Sequence, residues 1–143
     1  MDIRQITDSY SVSPQIECAD VEALAEAGYT TVICNRPDAE IPPFVQADAI
    51  KAAVEAAGLK FVLNPVPPGG LSEAIVETQA KAISESSGPA FAYCASGNRS
   101  TLVWALTQAG TRPTDEIISA GAAHGYNVEI LRGMIDMLAS RKD

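Results

Sequence analysis

Three scarcities shape the reading of this 143-residue chain: one histidine, three cysteines, and fewer basic than acidic residues. With His124 the only histidine, a zinc site is poorly supplied with ligands, and neither a metal nor an organic cofactor is expected. Cys18, Cys34 and Cys94 are odd in number and irregularly spaced, which argues against a disulfide framework and turns attention to single thiols. Ten Lys and Arg face eighteen Asp and Glu, a net charge of -8, and that field opposes a nonspecific grip on nucleic acid or an anionic membrane. An anionic substrate must therefore be captured locally. No stretch approaches bilayer-crossing length, and Met1 to Tyr10 lacks a basic patch followed by an apolar run, so a cytoplasmic location is expected. What is present, 47% apolar and 20% charged residues, is the composition of a packed globular domain, and the length suits one domain over residues 1–143.

No repeat or low-complexity tract divides the chain. β-Branched and aromatic runs at Thr30 to Asn35, Lys60 to Pro65 and Ala90 to Cys94 alternate with helical stretches near Pro43 to Ala57 and Leu71 to Ser86. Ile50, Ala53, Val54 and Ala57 recur on one helical face, as do Leu102, Ala105, Leu106 and Ala109. Ile3 to Ile6 and Tyr10 to Val12 suit a small hairpin or edge strand. Asp20 is a candidate cap for the helix ending near Gly28, and Thr114 for a segment beginning at Asp115. Val128, Leu131, Ile135 and Leu138 fall on one stripe of a last helix. The rhythm is βαβ, and it predicts a three-layer α/β fold with a central, mostly parallel sheet of four to five strands flanked by helices. In such a sheet the loops Asn35 to Glu40, Asn64 to Gly70 and Cys94 to Arg99 converge at the carboxyl edge, where ligands normally bind.

The sharpest signal is the strand ending in Cys94-Ala95-Ser96-Gly97-Asn98-Arg99-Ser100, followed at once by the periodic helix containing Trp104. A strand, a glycine turn and a helix start direct backbone N–H groups at one point, and the positive end of the helix favours negative charge there. The same field favours the ionised form of a thiol, so Cys94 is expected as a thiolate, with Ser100 donating a hydrogen bond to its sulfur. Arg99 adds a planar cation that can hold two oxygens of a phosphate, sulfate or thiosulfate group, and the backbone of Ala95, Ser96, Gly97 and Asn98 completes the cradle. The structural alternative for Cys94 is a small buried hydrophobe at a strand end.

At these residues the sequence resembles the cysteine-based phosphatases, specifically the bacterial phosphatase-like family found fused to β-lactamase-like hydrolases. The Cys94 loop, the Val12-Ser13-Pro14-Gln15 turn, the segment Thr31 to Glu40 and Pro65-Val66-Pro67 carry the resemblance, which covers most of the chain. It implies a compact dual-specificity-phosphatase-like fold in which Cys94 attacks phosphorus, Arg99 and the loop amides hold the phosphoryl oxygens, and water later releases phosphate.

Two features depart from the usual tyrosine-phosphatase pattern. Only Ala95, Ser96, Gly97 and Asn98 separate the cysteine from the arginine, one residue fewer than usual, and Tyr93 stands where histidine is usual. Both features are also typical of rhodanese-like sulfurtransferases. The Asn64 to Gly70 loop, where such phosphatases carry an acidic proton donor, has no carboxylate. Asp38 and Glu40 on the neighbouring loop are the substitutes, with Glu73 a weaker one, against plain roles as a turn residue, a solvated residue and a helix-start residue. Arg36 binds a second anionic part of the substrate or pairs with Asp38 or Glu40. Gln15 approaches the site or bonds backbone; Cys34 resolves a disulfide or persulfide on Cys94 or is simply buried, and Cys18 is inert. His124 suits a helix end and Trp104 suits packing. Hydrolysis of a phosphomonoester stands first, sulfur transfer through a Cys94 persulfide second, and a noncatalytic anion- or phosphoprotein-binding module third. The expected partner is a phosphorylated or sulfane-sulfur small molecule or protein.

Overall fold

In the computed structural model, which describes residues 1–141, the alternating runs become a five-stranded sheet covered by helices on both faces. Its strands are β1 (Arg4–Thr7), β2 (Tyr10–Ser13), β3 (Thr31–Cys34), β4 (Lys60–Leu63) and β5 (Ala90–Tyr93), in the order β1-β2-β5-β3-β4. β1 and β2 form the expected antiparallel hairpin; every other pair is parallel. The helices are α1 (Val21–Glu26), α2 (Ala47–Ala56), α3 (Glu73–Ser84), α4 (Asn98–Thr107), α5 (Thr114–Ala122) and α6 (Arg132–Ser140). This is the three-layer, mostly parallel arrangement anticipated from the alternation. No helix among the described residues is long and apolar enough to cross a membrane.

The middle strand explains the layering. All four residues of β5 are buried, and the two-residue period of a strand sends Phe91 and Tyr93 to one face and Ala90 and Ala92 to the other. Phe91 and Tyr93 pack with Leu24 of α1 and Ile50 and Val54 of α2. The two alanines share a core with Trp104 and Tyr10, whose rings stack with centroids 6.0 Å apart. Each fully buried Leu, Ile or Val here contributes about 1.5–3 kcal/mol. Ser100 to Leu106 of α4 are all buried, not merely the expected stripe, because α3, α5 and α6 pack around that helix.

Several local expectations need correction. The helix assigned from Pro43 begins only at Ala47: Pro43–Val45 is a 3-10 turn, and Gln46 is extended at ψ 165°. Asp20 accepts from the Glu17 N–H at 2.9 Å and so caps the preceding 3-10 turn Cys18–Asp20, not α1. Thr114 already lies inside α5, with its hydroxyl on Asp136 Oδ1. The last apolar stripe is divided between a 3-10 turn, Val128–Leu131, and α6.

Candidate active site

β2, β5, β3 and β4 end in register at Ser13, Tyr93, Cys34 and Leu63, so the segments that follow leave from one edge. Backbone bonds extend the alignment into the loops: Asn35 N–H donates to Tyr93 O, Asn64 N–H to Cys34 O, both at 2.9 Å, and Val66 N–H to Asn35 O at 2.8 Å. Cys94 emerges from the central strand between them.

The Cys94 side chain is fully buried, and the Gly97 N–H donates to its Sγ at 3.1 Å. That turn needs glycine twice over. Gly97 has φ +90°, a region L side chains rarely adopt, and a Cβ there would run into the Tyr126 hydroxyl. α4 begins with the next residue, and the N–H groups of its first turn have no carbonyl four residues back to bond. One of them, Asn98 N–H, is held by Ser96 Oγ at 3.2 Å. Ala95, Ser96 and Asn98 are exposed around the buried Gly97.

Arg99 joins all three converging loops. Its Nη1 donates to Glu40 Oε2 at 2.9 Å and to the Val66 carbonyl at 2.8 Å, while Nη2 donates to Glu40 Oε1 at 2.7 Å. The Glu40 bond, more than any other influence, keeps the guanidinium charged, and the neighbouring Cys94 adds to this. Reciprocally, Arg99 and then Arg36 hold the Glu40 carboxyl below its ordinary range. Among the described residues, the Nε–H and second Nη2 hydrogen of Arg99 meet no oxygen or nitrogen acceptor. These two donors lie on one edge of the planar group, a spacing that matches two oxygens of a phosphoryl group.

The remaining sequence-selected residues take other positions. Ser100 does not bond the thiol: its hydroxyl donates to Asn35 Oδ1 at 2.9 Å, and its carbonyl accepts from Tyr10 Oη at 2.7 Å. Asp38 Oδ1 accepts the Ala47 N–H at 2.8 Å and thereby caps α2. Arg36 takes the pairing alternative, with Nε on Glu40 Oε1 and Nη1 on Gln15 Oε1, both at 3.3 Å. Gln15 in turn donates to the Ile16 carbonyl at 2.9 Å. Glu73 lies in the first turn of α3, beside an apolar cavity of about 390 Å³ between α3 and α6. Cys34 is buried with Sγ on Arg36 O at 3.4 Å, and burial pushes its thiol pKa up; Cys18 is exposed. His124 sits in the turn that closes α5, with its N–H on Gly121 O at 3.0 Å.

Comparison with known proteins adds independent information. A family model for the phosphatase-like domain of β-lactamase hydrolase-like proteins matches residues 2–111. The chain belongs to that family. A β-lactamase hydrolase-like protein of Xylella fastidiosa (strain Temecula1) is 32% identical over 130 residues, 90% of this chain but 30% of that protein. The chain thus spans under a third of the length of this curated relative. Among solved structures, a candidate phosphatase of Neisseria meningitidis is 36% identical with a TM-score of 0.82, covering 96% of this chain and 99% of that one. PTPMT1 in complex with PI(5)P has a TM-score of 0.78 over 99% of both chains at 13% identity, which identifies a shared fold. The chain therefore combines membership of a phosphatase-like family with a fold that it shares with tyrosine-phosphatase-like proteins.

Two parts of this family member's site escaped the sequence reading. Tyr126 donates from its hydroxyl to the Ser96 carbonyl at 2.9 Å, across 30 positions, and no local pattern announces it. Gln79 lies at the hub of a buried network. It accepts from Asn35 Nδ2 and Asn64 Nδ2, both at 2.8 Å, and donates to Tyr10 Oη at 3.0 Å. A signal for Gln79 existed: it is a polar residue on the α3 face that carries Val76, Ala82 and Ile83.

Proposed function

We propose that the chain is a cysteine-dependent hydrolase of phosphomonoesters. The observation that carries this reading is the meeting of the Gly97 amide, the start of α4 and the charged Arg99 at the Cys94 sulfur, within a phosphatase-like family. The Cys94 thiolate attacks phosphorus, the bond to the ester oxygen breaks, and that oxygen leaves with the electron pair. The Nε–Nη2 edge of Arg99 and the loop amides of Ala95 and Ser96 hold the phosphoryl oxygens as charge builds on them, while the Gly97 amide stays on the sulfur and Ser96 Oγ holds that of Asn98. Water then attacks the phosphocysteine, releasing inorganic phosphate and restoring the thiolate.

Substrate preference follows from the carboxylates. Glu40 is held ionised between two arginines, and Asp38 caps a helix, so neither is placed to supply a proton to the departing oxygen. A leaving group that needs little protonation is favoured, and aryl phosphates, with phosphotyrosine among them, outrank alkyl phosphates. Glu40 and the Val66 carbonyl act instead by orienting Arg99. Hydrolysis of 4-nitrophenyl phosphate, abolished in Cys94→Ser, with a phosphate-sized mass adduct trapped on Cys94 of the wild type, is the expected result. An active Cys94→Ser variant would overturn the reading.

The short Cys94 to Arg99 loop favours one competitor. In sulfur transfer the thiolate would attack the outer sulfur of thiosulfate, expel sulfite and become a persulfide, with no acid required. Incubation with thiosulfate separates the two, since a sulfur adduct and a phosphate adduct differ in mass.

A further inference from the structure

The peptide unit between Ser96 and Gly97 is held from both sides. Its carbonyl accepts the Tyr126 hydroxyl at 2.9 Å, and its N–H donates to Cys94 Sγ at 3.1 Å. The carbonyl and N–H of a trans peptide point in opposite directions in one plane, so fixing one fixes the other. Gly97, at φ +90°, has no side chain to resist rotation of that plane, and the adjoining Ala95 and Ser96 are exposed. Tyr126 itself is firmly placed. It is buried, and the Arg4 guanidinium lies over its ring at 5.2 Å while donating to the His124 carbonyl at 3.2 Å. Arg4 is held in turn by Asp2 at 2.9 Å.

We propose that Tyr126 is a positioning residue for Cys94: by anchoring the Ser96 carbonyl, its hydroxyl aims the Gly97 amide at the sulfur and keeps it there. The inference rests on Cys94 being the reactive group, and it adds a residue outside the loop to the machinery that sets its reactivity. An amide donor stabilises a thiolate more than a thiol, so losing the anchor weakens the nucleophile most where the thiolate fraction limits the rate.

Alkylation by iodoacetamide reads this without any phosphatase assay. Around Cys94 stand Arg99, Tyr10, Cys34 and Tyr126. Arg99 stays charged, and burial raises the pKa of each of the other three. Glu40, on Arg99, is held below the ordinary carboxylate range. Between about pH 5 and 8 a change in the Cys94 alkylation rate therefore reports the sulfur and its amide. Alkylation is assigned to Cys94 by peptide mass spectrometry, which separates it from the exposed Cys18.

Tyr126→Phe removes only the hydroxyl. The expected result is a fall of about tenfold in the Cys94 alkylation rate near pH 6, narrowing as the pH rises, in a variant that keeps its cooperative melt. Tyr29→Phe serves as a matched control, because it removes a hydroxyl bonded to Ser11 Oγ at 2.7 Å from the opposite end of the sheet. Its profile should superimpose on that of the wild type. A Tyr126→Phe profile that also superimposes overturns the inference. If Tyr126→Phe fails to fold, the wild type decides by NMR: the Gly97 amide proton should move upfield by more than any other glycine amide when Cys94 is alkylated, and an indifferent Gly97 amide overturns it. A wild-type Cys94 no more reactive than Cys18 sinks the proposed function instead, so the two failures are distinct.

Discussion

Glu40 and Arg99, 59 positions apart, share hydrogen bonds of 2.7 and 2.9 Å that tie the loop after β3 to the first turn of α4. If this pair orients the guanidinium for a phosphoryl group, Glu40→Gln should lower kcat/KM on aryl phosphates by about 10- to 100-fold, the equivalent of one charge-assisted bond of about 1.5–3 kcal/mol. The loss should be the same for 4-nitrophenyl and phenyl phosphate, whose leaving groups differ in acidity. A loss confined to phenyl phosphate, together with a vanished alkaline limb of the pH profile, would make Glu40 a proton donor instead.

The same pair sets a pH dependence of stability. Arg99 holds the Glu40 carboxyl below its ordinary value of 4.5, so the unfolded chain takes up the proton first as the pH drops. The stabilisation is complete above the unfolded value and is lost as the pH falls through the folded one. The Glu40 side chain is a quarter exposed and solvent screens the pair, so the contribution is at most about 1 kcal/mol. Urea unfolding of wild type and Glu40→Gln should differ by about that amount near pH 7 and coincide near pH 3. A gap that persists in acid would exclude the carboxylate charge as its source.

What the sequence made legible was local. The Cys94 to Ser100 segment declares its strand, turn and helix within a few residues, and the strand runs stand out because β-branched and aromatic residues cluster in them. Loop convergence followed from the parallel connectivity. The pairing of Glu40 with Arg99 and the diversion of the Ser100 hydroxyl to Asn35 depend on which partners the fold brings near, across 59 and 65 positions. A helix boundary such as Ala47 moved for the same reason: the Asp38 carboxylate that caps it lies nine residues upstream.

Gln79 carries a stability prediction. Its side chain bonds Asn35, Asn64 and Tyr10 in an interior without exposed surface, so Gln79→Leu keeps much of the bulk but strands the partners. Leaving buried donors and acceptors unmade costs about 1–3 kcal/mol apiece, and a total loss of about 3 kcal/mol or more is expected in urea unfolding. Because Asn35 also receives the Ser100 hydroxyl, the loosened network should reach the start of α4, faster hydrogen exchange at Ser100 and Thr101 being the sign. A variant within about 0.5 kcal/mol of wild type would mean that water replaces the glutamine.

Tyr93 makes the opposite prediction. Its buried hydroxyl meets no oxygen or nitrogen partner among the described residues and has only the weakly bonding Cys34 thiol beside it, although the residue immediately precedes Cys94. Removing an unsatisfied buried hydroxyl relieves a desolvation penalty, so Tyr93→Phe should stabilise the fold by about 1 kcal/mol at neutral pH. Alkali sharpens the test. Burial raises the pKa of both Tyr10 and Tyr93 above the ordinary tyrosine value of 10.0, so their protons are retained in the fold and released from the unfolded chain. Stability is therefore intact below about pH 10 and declines as the pH rises above it. With Tyr93 gone, only Tyr10 of this pair remains to drive that decline, and the alkaline limb of the melting curve should be shallower in Tyr93→Phe than in wild type. A variant that melts lower at neutral pH, with an unchanged alkaline limb, would mean that the hydroxyl has a partner and a structural purpose beside the candidate nucleophile.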